Sequence, residues 1–163
     1  MDSLFAGGHF PDLVKFSGDI SRWDVSSVYD MNHMFWGASV FNGDLGKWDV
    51  SRVTIMTSMF LSASVFNGNI SEWDVSKVTT MDSMFKNALV FNNDISKWDV
   101  SSVSIMEDTF SGASLFNANI SEWDVSTVLD MARMFSGAKS FDSDVTKWDV
   151  SRVNYMVKMF QNA

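Results

Sequence analysis

The chain has no cysteine, a single proline (Pro11), and no apolar run that approaches the roughly 18 residues of a membrane-spanning helix. Without thiols, disulfides, zinc-thiolate sites and thiol nucleophiles are excluded. Without a long apolar run, no segment is expected to insert in a membrane. The start, Met1-Asp2-Ser3-Leu4, lacks the basic residues and apolar stretch of a signal peptide. Basic residues are scarce as well. There are 12 against 20 acidic ones, a net charge of −8, which argues against nucleic acid or an anionic membrane surface as the main partner. The two histidines, His9 and His33, stand isolated, and no phosphate loop or Gly-x-Gly-x-x-Gly is present. Catalytic, cofactor-binding and metal-binding constellations are therefore all missing, and the reading is of a protein that is not an enzyme.

What is abundant is Met (12), Phe (14) and Trp (7) in a chain of 163 residues that is 46% apolar. The excess is repetition. Trp-Asp-Val recurs at Trp23, Trp48, Trp73, Trp98, Trp123 and Trp148, always 25 residues apart. Val28, Met31, Phe35, Ala38 and Phe16 each head a column with the same step, ending at Val153, Met156, Phe160, Ala163 and Phe141. The chain reads as one domain over 1–163, without linkers. Met1, Leu4 and Phe5 form an N-terminal half-copy, followed by an insertion at 9–15, and no recognisable cap closes the C-terminus.

Met31, Met34, Phe35 and Ala38 lie at i, i+3, i+4 and i+7, the apolar face of a helix. Ile20, Trp23 and Val25 precede them in a run that suits a short strand. The periodicity predicts an α/β solenoid: a right-handed, leucine-rich-repeat-like stack of six strand–helix units with a parallel sheet. A parallel β-helix is the alternative. The last coil is expected to leave Val153, Met156, Met159 and Phe160 partly uncovered.

Stacking turns each column into a ladder. The position before Trp reads Arg22, Lys47, Glu72, Lys97, Glu122, Lys147, so neighbours alternate in sign after the first two and attract. Asp24, Asp49, Asp74, Asp99, Asp124 and Asp149 form an unbroken acidic ladder whose members repel. The local reading is that each accepts hydrogen bonds from N–H groups just downstream, as in an Asx-turn. The competing reading is contact with calcium or a cationic partner. Calcium is the weaker of the two, because it wants six to eight oxygens and each coil supplies one carboxylate. The Asn42, Asn67, Asn92, Asn117 column reads as an internal amide ladder. Trp36 is the one Trp outside the Trp-Asp-Val column and should neighbour Leu61. With the apolar column Val40, Val65, Val90, Leu115 it marks a candidate contact patch.

The unit F-N-x-D-I-S-x-W-D-V-S-x-V-x-x-M-x-x-M-F-x-x-A resembles the 25- or 26-residue repeat of bacterial surface proteins, a domain of unknown function from mycoplasma lipoproteins. It is also similar to BspA-like leucine-rich repeats. The resemblance covers Phe16 to Ala163. It implies a leucine-rich-repeat-like fold, a place on cell surfaces, and adhesion or protein binding, with no catalytic residues to carry over. Together these readings point to a non-catalytic binding module that presents a rigid acidic surface to a protein partner. The alternative is a scaffold subunit docked, or self-associated, through its uncapped ends.

Overall fold

A computed structural model describes residues 15–163. The half-copy at Met1, Leu4 and Phe5 and the insertion at 9–15, Lys15 excepted, lie outside the described residues. From Phe16 onward the chain winds into 25-residue coils, 16–40, 41–65, 66–90, 91–115 and 116–140, with a sixth over 141–163.

The hydrogen bonds explain how a coil is built. Alternate N–H groups serve two directions. Those of Met31, His33, Phe35 and Gly37 leave the coil and donate to the carbonyls of Ile55, Thr57, Met59 and Leu61, at 2.7–3.0 Å. Those of Met34, Trp36 and Ala38 turn back and donate three residues upstream, to Met31, His33 and Phe35. The same pattern recurs in later coils, for example from Met106, Asp108, Phe110 and Gly112 to Asp130, Ala132, Met134 and Ser136. Segments 31–34 and 35–38 are thus successive β-turns. Their third residues, His33 and Gly37, have φ of 57° and 71°, the type II signature.

This corrects the expected strand–helix unit, and with it the leucine-rich-repeat architecture. Among the described residues none is α-helical. An α-helix needs i→i−4 bonds and right-handed backbone throughout, whereas here half the N–H groups leave the coil and every fourth residue is left-handed. Among the described residues there is no parallel sheet either. Single-residue parallel bridges run Asp30–Ile55–Thr80–Ile105–Asp130–Tyr155 and do not extend into strands, so the β-helix alternative fails too.

The columns fill the interior. The Met, Phe and Ala positions of the second to fourth coils are fully buried. The two Phe columns interleave: Phe85 stacks on Phe91 at 3.8 Å, on Phe60 at 5.5 Å and on Phe110 at 5.7 Å. Each Trp from Trp48 to Trp148 pins its coil to the one before. Trp98 Nε1, for instance, donates to the Ile70 carbonyl at 3.1 Å. Thr109, in a Met column, is fully buried, and its hydroxyl reaches the carbonyls of both Met81 and Met106.

Candidate interaction surface

In the second to fifth coils the Trp-Asp-Val segment sends Trp and Val inward and Asp outward, whereas Trp23 in the first coil and Val150 in the last are exposed. All six ladder carboxylates are exposed, and each accepts the N–H of the Ser two residues on. The Ser26, Ser76 and Ser101 hydroxyls add bonds of 2.6 Å to Asp24, Asp74 and Asp99. These hydroxyl and N–H donors hold the Asp24, Asp49, Asp74, Asp124 and Asp149 carboxyls below the usual carboxylate range. The ladder is thus satisfied turn by turn. Among the described residues no group of three or more acidic or histidine side chains is arranged to hold a metal ion.

The charged column beside it pairs coil to coil. Lys97 Nζ lies 2.9 Å from Glu72, and Lys147 Nζ lies 2.7 Å from Glu122. The lysines lower both glutamate pKa values. The Asn column also acts between coils, with Asn42 Oδ1 accepting the Asn67 N–H at 2.8 Å and Asn67 Oδ1 accepting the Asn92 N–H at 2.9 Å. It does so at the surface rather than in the interior, because these asparagines are exposed.

Trp36 and Leu61 sit at the same position of adjacent coils, where the Gly37 N–H donates to the Leu61 carbonyl. Both are half-buried. The Trp36 ring lies 5.1 Å from that of His33. More apolar surface is open along the neighbouring column, where Val40, Val65 and Leu115 are 46%, 41% and 52% exposed. In the last coil Met156 and Phe160 are exposed and Val153 is half-buried. Met159, expected among the uncovered residues, is instead buried at 6%.

One cluster had no counterpart in the sequence reading. Asp108 is only 4% exposed and carries the left-handed backbone of its turn. Lys86 Nζ donates to its Oδ2 at 3.0 Å, and Arg133, one coil further on, donates from Nε and from its terminal nitrogen at 3.1 Å. Arg133 also bonds Glu107. Burial disfavours the Asp108 charge, but the two cations outweigh it and hold the carboxyl below its usual range. Its Oδ1 is buried without a hydrogen-bond partner. The available signal was an acid at 108 with a base 25 residues later, in a column that is otherwise His or Ser in the earlier coils.

A family model for Mycoplasma protein of unknown function, DUF285, matches residues 1–114 and again 91–163. The chain belongs to that family. The two matches overlap and together span the whole repeat array, so DUF285 membership rests on the same 25-residue unit that builds the coils. No curated protein and no solved structure matches the chain.

Proposed function

We propose that the chain is a non-catalytic protein-binding module, of the adhesion type, that presents a rigid acidic surface to another protein. The observation that carries this reading is the exposed apolar ladder Val40, Val65, Val90, Leu115, with Trp36 and Leu61 four residues upstream of Val40 and Val65. A fold this well supplied with interior apolar positions has no need to leave an apolar residue open in each of four successive coils, and contiguous exposed apolar surface marks contact sites. The likeness of the motifs to BspA-like repeats supports the binding role, though not their architecture. Replacing Trp36 and Leu61 by serine is expected to weaken the complex about tenfold or more, as loss of apolar anchors does. The Tm should stay within a few degrees, because both residues are half-buried. Titration of the native partner against the double variant checks this, and unchanged affinity would count against the patch.

A second reading is a scaffold subunit of a larger assembly, docked through the ends of its stack. It expects concentration-dependent association in light scattering, suppressed by Val157→Lys and Phe160→Lys. A monomer at all concentrations argues against it.

A further inference from the structure

Each coil has a corner, closed where the Phe41 N–H, or its equivalent, donates to the Ala38 carbonyl three residues back. Stacked, the corners form a strip along one side of the protein. Charge is missing from most of it. In the first four coils the segments 37–43, 62–68, 87–93 and 112–118 hold no Asp, Glu, Lys, Arg or His, although 20% of the chain is charged. Val40, Val65, Val90 and Leu115 run along the middle, and Leu89, 45% exposed, widens the apolar surface in the third coil. The exposed asparagines at 42, 67, 92 and 117 form one flank, and the column at 39, 64, 89 and 114 forms the other. Charge returns at the fifth corner, one residue on each flank and of opposite sign: Lys139 and Asp142, both exposed. Among the described residues neither pairs with another charge.

These features restrict what can cover the strip. A cationic partner would be met by acidic residues, and the first four corners have none. A fitting occupant is neutral and apolar along most of its length, with a cation opposite Asp142 and an anion opposite Lys139. A second copy meets each condition. Two chains of net charge −8 repel over most of their surfaces, and this is a face on which they can approach without setting carboxylate against carboxylate. The stacking step of about 4.8 Å is common to both copies, so ladder meets ladder residue by residue. A two-fold axis along the strip exchanges the flanks. Val90 then meets the partner's Val90, and Lys139 meets the partner's Asp142. With the stacks antiparallel, Lys139 would meet the partner's Ser39 and have no counter-ion.

We propose that the chain pairs side by side with a second copy through this strip, with the stacks parallel, the Val/Leu ladders in contact and two Lys139–Asp142 ion pairs across the axis. This rests on the reading of the ladder as a contact surface and names its occupant. The exposed parts of five aliphatic side chains amount to a few hundred Å² per copy, a patch of functional size. That is short of the roughly 800 Å² a side of a tight complex, so the dimer is a weak one, with a Kd of roughly 10–100 μM.

Sedimentation equilibrium of the full chain across that range should show monomers converting to dimers. Val90→Lys should weaken the dimer about tenfold or more. Lys139→Asp and Asp142→Lys should each weaken it about fivefold by setting like charges together, and the double variant should return to within about twofold of wild type. Tm should hold in all four, because the replaced side chains are exposed. The dimer should also survive Val157→Lys and Phe160→Lys, which separates it from association through the ends. A monomer at all concentrations overturns the proposal, as does a dimer indifferent to Val90→Lys or a double variant no better than the single ones. If the chain stays monomeric while the Trp36/Leu61 serine variant loses its native partner, the protein-binding reading stands and self-pairing falls. If that variant also keeps its partner, both fall.

Discussion

Phe85→Ala is expected to destabilise the protein by about 3–5 kcal/mol, the cost of emptying a fully buried aromatic site. Phe85 has no solvent exposure and contacts rings on three sides: Phe60 and Phe110 in the adjacent coils and Phe91 in the next turn of the chain. No side chain can move in from elsewhere, because each neighbour is itself held in a stack. The defect also interrupts a linear array. When each coil touches only its neighbours, stability is roughly a sum of coil and interface contributions, and a mid-stack gap uncouples the two halves. Urea unfolding should therefore become less steep as well as shifting to lower midpoint. Hydrogen exchange should quicken at the Phe60 and Phe85 amides, which donate to the Met84 and Thr109 carbonyls on either side of the gap. Phe160→Ala is the control. The same column position is 48% exposed there, so the loss should be about 1 kcal/mol. Similar losses for the two variants would contradict the nearest-neighbour picture.

The repeat, its 25-residue step and the identity of the buried columns were all legible in the sequence, because a periodic core needs only periodic apolar residues. The local element was not legible. Met31, Met34, Phe35 and Ala38 fit a helix of 3.6 residues per turn, and they fit two successive four-residue turns equally well. Over eight residues the two periods drift apart by less than one position. Gly37, Asn87, Gly112, Gly137 and Asn162 recur at the left-handed place of the second turn. Glycine at the end of a short helix looks the same, so the column alone did not separate the two. Trp-Asp-Val alternates inward and outward as a strand would, although in the structure it is the lead into a turn. The Asp ladder was read correctly at the level of local bonds, since an Asx-turn depends on residues two apart. The Lys86–Asp108–Arg133 cluster was missed because it joins three coils through two different columns, and that adjacency exists only once the turn geometry is known.

Asp108→Ala is expected to cost about 2–3 kcal/mol, from two sources. Removing the carboxylate strands Lys86 and leaves Arg133 with Glu107 alone. Full loss of a buried partner costs about 3–5 kcal/mol, and less here because both cations are more than a third exposed. Alanine in left-handed backbone adds about 1 kcal/mol of strain. Asp108→Asn separates the two, since asparagine suits that backbone and removes only the charge, so it should lose less than alanine does. The pH dependence gives an independent readout. The folded carboxyl titrates below its unfolded value of 3.8. Its contribution is therefore complete at pH values above that, and is lost as pH falls through the folded pKa. The wild-type advantage over Asp108→Asn should hold at pH 7 and shrink steadily in acid. A difference that stays constant down to the acid limit would mean that the charge contributes nothing. A double-mutant cycle with Arg133→Ala should return a coupling of about 1 kcal/mol or more, measured by urea unfolding at pH 7. No coupling would remove the cross-coil clamp as an explanation for why an acid persists at a buried, left-handed position.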